Sequence, residues 1–226
     1  ARVQSGLRML FEQALEAQKI WNPGPFWNEP DVRARLAKIP VGLSRELLRQ
    51  NTVKYLLTGF MGSGKSTVGR IAAEKLGIPF VDLDDRIRMA AGKSIPDLFS
   101  QDGEPAFRRM ETRVLEETLR EPGSALVATG GGALLQDASM AVVEDAPALV
   151  VLLDTRLESI LRRVGRKTGR PLLDGDARDK ADLLYSQRMP EYLARADLVI
   201  DNTGPNGAGE TARELIAALG CGEEGE

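Results

Sequence analysis

The sequence predicts an α/β protein of three layers, in which helices cover both faces of a central five-stranded parallel sheet. Short apolar runs alternate with helix-like stretches from residue 53 onward. The runs are mostly apolar without a strict alternation, as expected for strands that are buried on both faces. With 226 residues and 42% hydrophobic side chains, the chain can build one such domain with a substantial core. The predicted strands are residues 53–59, 78–84, 124–132, 147–154 and 196–202.

The chain divides into three predicted segments: an N-terminal extension at residues 1–51, the α/β domain at 52–220 and an acidic tail at 221–226. Apolar residues recur at helical spacing in GLRMLFEQALEAQKIW, so the extension is expected to be mainly helical. We expect the protein to be a monomer, with the extension docked on the domain; mediation of an oligomer is the alternative. Helices of the domain are expected at residues 65–76, 104–120, 137–144, 155–164, 178–193 and 209–219.

The composition excludes several classes of function. The chain has no histidine, so a general base would have to be a carboxylate or another group. A net charge of −3 argues against nucleic acid as a partner. No apolar stretch reaches the roughly 20 residues that span a membrane, so no membrane partner is expected. The single cysteine, Cys221, suits a reducing compartment, which we expect to be the cytoplasm, or the plastid stroma in a plant or alga.

A phosphate-binding loop follows the first predicted strand. The stretch GFMGSGKS, from Gly59 to Ser66, matches the pattern G-x-x-x-x-G-K-[ST] and precedes a predicted helix. In such a loop backbone N–H groups surround the phosphates of a nucleoside triphosphate, Lys65 reaches the β and γ oxygens, and the Ser66 hydroxyl binds Mg²⁺. The nucleotide is therefore expected to bind to Gly62, Ser63, Gly64, Lys65, Ser66 and Thr67.

Polar residues and glycines follow the next two predicted strands. Asp82 and Asp84 end the second strand, where residues two apart face the same side, so both carboxylates are expected to point toward the phosphate site. Capping of the following helix is the alternative role for this pair. Gly130 to Gly132 end the third strand and would let a ligand approach the backbone closely. Arg108 and Glu111 lie one helical turn apart in GEPAFRRME.

Together these stretches resemble the shikimate kinases, from about Thr52 to about Leu219. The resemblance implies a P-loop kinase fold similar to that of the nucleoside monophosphate kinases. It also implies that ATP, with Mg²⁺, phosphorylates the 3-hydroxyl of shikimate to give shikimate 3-phosphate and ADP. The matching stretches are, in order, GFMGSGKSTVG, FVDLDDRI, GKSIPDLFSQDGEPAFRRMET, TGGGALL, GRPLL and SQRMPEYLARADLVID.

The resemblance further implies roles for residues of the acceptor site. Asp84 would bind the ring hydroxyls of shikimate and orient or deprotonate the attacking oxygen, while Asp82 would support Mg²⁺. Arg108 and Arg188 would clamp the shikimate carboxylate, a task that suits planar guanidinium groups. Gly130, Gly131 and Gly132 would line the same pocket.

The resemblance also assigns the nucleotide side. The stretch VGRKTGRPLLDGD is rich in glycine and charge, which predicts a mobile loop, and in the family this loop is the lid over ATP. Arg170 would reach the phosphates from the lid, and Arg163 would pack on adenine. The catalytic residues would therefore be Lys65, Asp84 and Arg170.

Three alternatives stay open at this point. Asp154 ends the apolar run PALVVLLD and is a second candidate for the metal carboxylate, although the resemblance favours Asp82. A kinase of another small acid or sugar, such as gluconate, would use a similar loop. A non-catalytic domain that senses a small acid is the third alternative.

Overall fold

A computed structural model describes residues 53–168, 175–204 and 207–219. The predicted N-terminal extension and acidic tail lie outside these residues, and so does Arg170.

The five strands form one parallel sheet with the order β2-β3-β1-β4-β5. Leu57 of β1 lies opposite Ala128 of β3 on one side and Val151 of β4 on the other. The chain crosses from β3 over β1 to β4, so its winding changes direction beside β1, which is where ligands bind in open α/β sheets. The strands are β1 (Lys54–Thr58), β2 (Phe80–Asp82), β3 (Ala125–Ala128), β4 (Ala148–Asp154) and β5 (Leu198–Asp201).

Helices connect the strands on both faces of this sheet. They are α1 (Lys65–Leu76), α2 (Leu83–Ala91), α3 (Ile95–Arg120), α4 (Asp137–Glu144), α5 (Leu157–Thr168), α6 (Gly175–Arg195) and α7 (Gly207–Ala218), and a short 3₁₀ turn covers Ala133–Leu135. Helix α3 is broken at Gly103, whose φ of 80° and ψ of 164° are not helical, and Pro105 starts the second part. The sequence predicted this second part but not the first, and it anticipated α2 only through the alternative in which Asp82 and Asp84 cap a following helix.

Alternate residues of each strand enter opposite layers of the core. Tyr55 and Leu57 of β1 pack with Val68 of α1 and Leu215 of α7 on one face. Leu56, between them, packs with Leu83, Ile87, Leu115 and Met140 from α2, α3 and α4 on the other face. The predicted three-layer arrangement of helix, parallel sheet and helix is therefore confirmed.

Candidate active site

The loop between β1 and α1 has the backbone shape of a phosphate cradle. Gly59, Gly62 and Gly64 have positive φ values of 138°, 78° and 99°. A Cβ at Gly59 would lie 2.8 Å from the carbonyl oxygen of Leu153, so only glycine fits there. Gly64 is the N-cap of α1 and provides no side-chain cap, which leaves the helix N-terminus to interact with an anion.

Lys65, the first residue of α1, folds back onto this loop. Its Nζ donates to the carbonyl oxygens of Gly59 at 2.8 Å and Phe60 at 3.0 Å. Burial lowers the pKa of Lys65 to about 8, while the carboxylates of Asp84 and Asp82 oppose that shift. The ammonium group is therefore mostly protonated at neutral pH and lies in the field of both aspartates.

Asp82 connects the phosphate loop to α2. Its Oδ2 accepts a hydrogen bond from the Ser66 hydroxyl at 2.8 Å, and its Oδ1 accepts one from the backbone N–H of Asp84 at 3.1 Å. Asp82 is thus both the hydrogen-bond partner of Ser66, the serine predicted to bind Mg²⁺, and the N-cap of α2. The expectation that Asp82 and Asp84 share an extended segment was wrong, because the cap ends β2 at Asp82 and places Asp84 in the first helical turn.

A hydroxyl and a carboxylate oxygen at this spacing fit Mg²⁺, which prefers oxygen ligands and keeps several water molecules beside nucleotide phosphates. No group of three or more His, Cys, Asp or Glu side chains suited to a metal occurs in the described part of the chain. Mg²⁺ does not need such a group when phosphates supply ligands. Asp154 is buried at the end of β4. The contact of Ser66 favours Asp82 as the carboxylate that would support the metal.

Asp84 lies beside Gly130 at the end of β3. A Cβ at Gly130 would lie 3.1 Å from Oδ1 of Asp84 and 2.9 Å from Oε1 of Glu111. Burial raises the pKa of Asp84, and the nearby Asp82 adds to this, whereas Lys65 and Arg88 act in the opposite direction. Gly130 therefore lies against two carboxylates, and a larger residue at this position would press on both of them.

Arg108 pairs with the second of these carboxylates. Its NH1 donates to Oε2 of Glu111 at 2.6 Å, and its NH2 donates to Oε1 of Glu104 at 3.1 Å. A Cβ at Gly132 would lie 2.9 Å from both terminal nitrogens of Arg108, so the guanidinium group lies against the glycine turn. No role for Glu111 was predicted from the sequence, although its position three residues after Arg108 on a helix was a usable signal.

Arg188 reaches the same place from α6. Burial raises the pKa of Glu111, and the positive charges of Arg108 and, more weakly, Arg188 act against the rise. Arg188 also hydrogen-bonds Tyr192, whose hydroxyl donates to the carbonyl oxygen of Gly131. The fold thus pairs Arg108 with a buried glutamate beside the glycine turn and places Arg188, from a separate helix, close enough to act on the charge of that glutamate.

Arg163 lies on the opposite side of the phosphate loop. Its NH2 donates to the carbonyl oxygen of Asn202 at 2.6 Å, and its NH1 to that of Ser63 at 3.4 Å. Thr67 lies exposed in the first turn of α1, and its backbone N–H donates to the carbonyl oxygen of Gly64 at 3.0 Å. Asn202 was not predicted as a site residue, because one asparagine after a strand looks like an ordinary turn residue.

The phosphate loop and the two arginines lie on either side of Asp84, which defines a P-loop kinase that acts on a small molecule. A sequence model described as "Shikimate kinase" matches residues 61–219. The chain belongs to the shikimate kinase family.

Individual relatives agree with this assignment. The shikimate kinase of Thermobifida fusca is 41% identical over 167 residues, which cover 72% of this chain and 95% of that protein. The shikimate kinase of Salinibacter ruber is 43% identical over 152 residues, covering 63% and 74% of the two chains. The solved structure of shikimate kinase from Acinetobacter baumannii in complex with shikimate has a TM-score of 0.65 at 34% identity and covers 78% of this chain and 96% of that one.

A gluconokinase from Sinorhizobium meliloti has a TM-score of 0.52 at 21% identity, which shows a shared fold. Membership in the shikimate kinase family confirms the predicted class of enzyme, an ATP-dependent phosphotransferase, and its predicted cofactors ATP and Mg²⁺. The described helices include none with the length and apolar character required to cross a bilayer.

Proposed function

We propose that this chain transfers the γ-phosphoryl group of ATP to the 3-hydroxyl of shikimate, giving shikimate 3-phosphate and ADP. The observation that carries the proposal is the pair of Arg108 and Glu111 at the glycine turn, where Asp84 and Glu111 both lie next to Gly130. Arg188 of α6 adds a second positive charge near this pair. Two guanidinium groups suit a carboxylate, and a neighbouring aspartate suits ring hydroxyls. The solved relative in complex with shikimate supports the same acceptor.

On the donor side, the loop from Gly59 to Gly64 and the N-terminus of α1 would bind the phosphates through backbone N–H groups. Lys65 would exchange its bonds to two loop carbonyls for phosphate oxygens and would remain charged near neutral pH, since its pKa is about 8. Ser66 and Asp82 would hold Mg²⁺. When bound, the metal neutralises negative charge on the phosphates. Arg163 would pack on adenine, and Arg170 would approach from the lid.

On the acceptor side, Asp84 would accept a hydrogen bond from the attacking hydroxyl and direct its oxygen toward the γ-phosphate. A loose transition state requires little proton removal early in the reaction, so orientation is the larger part of this task. The raised pKa of Asp84 would make it a somewhat better proton acceptor once the bond to phosphorus has formed. Gly130 to Gly132 would let the ring lie against the backbone.

The test is an assay of the purified full-length chain with Mg-ATP and either shikimate or gluconate at millimolar concentration. ADP release would be coupled to a spectroscopic signal, and the phosphorylated product would be identified by mass spectrometry. We expect shikimate 3-phosphate to form and gluconate to remain unphosphorylated. ADP release without shikimate 3-phosphate would contradict the proposal and would indicate another acceptor or wasteful hydrolysis.

We also propose that the enzyme is a cytoplasmic monomer. Asp84, Glu111 and Arg108 lie around the glycine turn that follows β3, and the Tyr192 hydroxyl donates to the same turn, so these groups contact one another within the chain. The single cysteine agrees with a reducing compartment. Size-exclusion chromatography with light scattering should give the mass of one chain, and a mass of two or more chains would contradict this part of the proposal.

A further inference from the structure

Asn202 lies directly after β5 and is 5% exposed. Its backbone N–H donates to the carbonyl oxygen of Asp154 at 2.7 Å, and its own carbonyl accepts from Arg163 at 2.6 Å. These bonds fix its backbone against the end of β4 and against α5. These contacts within the protein therefore hold Asn202 in place without help from a ligand.

The side-chain amide bridges the phosphate loop and α7. Nδ2 donates to the carbonyl oxygen of Ser63 at 2.6 Å, and Oδ1 accepts from the hydroxyl of Thr211 at 2.7 Å. A carbonyl oxygen can only accept, so the nitrogen end of the amide must face Ser63. The Thr211 hydroxyl donates to the oxygen end and stabilises the orientation that the Ser63 carbonyl sets.

The Ser63 carbonyl belongs to a peptide group that carries a loop donor at its other end. In a planar trans peptide the C=O and N–H bonds point in opposite directions, so the direction of the Ser63 carbonyl sets that of the Gly64 N–H. Thr155 donates to the same carbonyl at 3.2 Å and Arg163 at 3.4 Å, both weaker contacts than that of Asn202. Asn202 is therefore the strongest of three groups that hold this peptide.

We propose that Asn202, oriented by Thr211, is a positioning residue that holds the peptide between Ser63 and Gly64 in its phosphate-binding orientation. It acts on the nucleotide through the loop and makes no contact with the acceptor. The inference deepens the proposed function, since it concerns the ATP-binding half of the same site. Under this proposal, tight ATP binding also requires the buried amide of Asn202 and the hydroxyl of Thr211 on the β5 side of the loop.

The test compares Thr211→Val, which removes only the hydroxyl, with Thr211→Ser, which keeps it. Thr118→Val is the matched control, because Thr118 is also buried and its hydroxyl donates to the carbonyl oxygen of Val114 and accepts from Arg86, both outside the nucleotide site. Calorimetry would give the Kd of Mg-ADP without any acid present. Steady-state kinetics would give KM for ATP and for shikimate, and melting curves would report stability.

We expect Thr211→Val to raise the Kd of Mg-ADP and the KM for ATP by roughly 3- to 10-fold, the range for one neutral hydrogen bond. The KM for shikimate should stay within about two-fold, and Thr211→Ser should restore most of the affinity. Asn202→Asp lacks the donor and adds a negative charge near the phosphates, so its loss should be larger. Thr118→Val should lower the melting temperature and leave the Kd unchanged.

If Thr211→Val and Asn202→Asp both change only the melting temperature, as the control does, the positioning role is overturned. Equal increases in the KM for ATP and for shikimate would also contradict it, because they indicate general loosening of the fold. Should Thr211→Val fail to fold, Asn202→Asp and Thr211→Ser decide the question. The Kd of Mg-ADP does not depend on the acceptor, so this result stands even if shikimate proves not to be the substrate.

Discussion

At the scale of single residues, Asp84 lies where the two halves of the proposed reaction meet. Its carboxylate interacts electrostatically with Lys65 on the nucleotide side. On the acceptor side, Asp84 and Glu111 both lie next to Gly130. Asp84→Asn keeps the shape of the side chain but replaces one acceptor oxygen with an NH₂ donor and removes the negative charge. We expect kcat to fall by roughly 100-fold, at the low end for a positioned acid or base, with little change in the KM for ATP.

The control for this prediction is Asp85→Asn. Asp85 is the next residue of α2, its side chain is 47% exposed and its carboxylate pairs with Arg88 on the surface. We expect this variant to keep kcat within about two-fold, because surface ion pairs contribute little. A similar loss in both variants would mean that the charge of α2 matters and not the position of Asp84.

Arg108 offers a second test at this scale. Arg108→Ala removes a charged hydrogen-bond donor from the proposed carboxylate site, a loss that typically corresponds to about 1.5–3 kcal/mol, or roughly 10- to 150-fold. We expect the KM for shikimate to rise within that range while the Kd of Mg-ADP stays the same. Arg109→Ala, which truncates the exposed neighbour on α3, should change neither value. An unchanged KM in Arg108→Ala would remove this residue from the acid site.

Glu111 gives the site a pH-dependent contribution to stability. Burial raises its pKa above the ordinary 4.5, against the opposing effect of Arg108. The folded protein therefore binds this proton more tightly than the unfolded chain, and the resulting stability is present below pH 4.5 and is lost as the pH rises through the raised value. In Glu111→Gln nothing titrates at this position, so its stability relative to the wild type should increase as the pH rises through this window.

Urea unfolding of wild type and Glu111→Gln, in steps from about pH 4 to pH 7, would measure this difference in the free energy of unfolding. Loss of the partner of Arg108 lowers the stability of the variant by an amount that should be nearly constant with pH. Glu117→Gln, at an exposed position of the same helix, corrects for the removal of one negative charge. A difference that stays flat or falls with rising pH would contradict the assignment.

At the scale of elements, α1 lies unusually close to the sheet because Gly69 has no side chain. A Cβ there would lie 2.6 Å from the Phe80 ring and 3.0 Å from Leu126 and Leu57. Gly69→Ala would push α1 away from β1, β2 and β3, and overpacking of this kind typically costs about 1–3 kcal/mol. We expect a lower melting temperature and, since Lys65 and Ser66 begin the same helix, weaker nucleotide binding.

Gly209→Ala is the control for that prediction, because a Cβ at Gly209 meets no atom within 4 Å and the residue lies in α7. Alanine is favoured over glycine in a helix by about 0.5–1 kcal/mol, so this variant should be as stable as the wild type or more stable. A loss of stability in both variants would show that backbone flexibility, and not the close packing of α1, sets the effect.

Element boundaries show which parts of the fold could be predicted from the sequence. The buried strands could, because continuous apolar runs reflect burial on both faces and need no knowledge of distant contacts. The end of β2 could not, since Leu83 and Asp84 continue an apolar and polar alternation. The strand ends because Asp82 accepts the Asp84 N–H and starts α2, a local hydrogen bond that competes with the extended pattern. The break at Gly103 likewise hid the first part of α3.

At the scale of the whole molecule, the order of the strands decides which residues meet. Motifs matched to a family could predict Lys65, Asp84 and Arg108, because each lies in a distinctive stretch. Asn202 and Tyr192 could not be predicted in this way. Asn202 and Ser63 are 139 residues apart in the sequence, and Tyr192 and Gly131 are 61 residues apart. Contacts between such distant residues form only after the sheet has assembled. Local pattern thus predicts the groups that are proposed to react, while topology supplies the groups that contact them from distant parts of the sequence.

The expected docking of the extension on the domain can be tested without its structure, because both tryptophans of the chain, Trp21 and Trp27, belong to it. Tryptophan fluorescence therefore reports only on residues 1–51. If the extension docks, the tryptophan emission should be blue-shifted and poorly quenched by iodide. In urea, the tryptophans should become exposed to solvent at the same concentration at which the domain unfolds. Deletion of residues 1–50 should then lower the melting temperature by a few degrees, whereas kcat should persist because the described core is closed by its own helices. Fully quenchable tryptophans, together with an unchanged melting temperature and an unchanged number of chains per particle after deletion, would exclude both docking and oligomer formation.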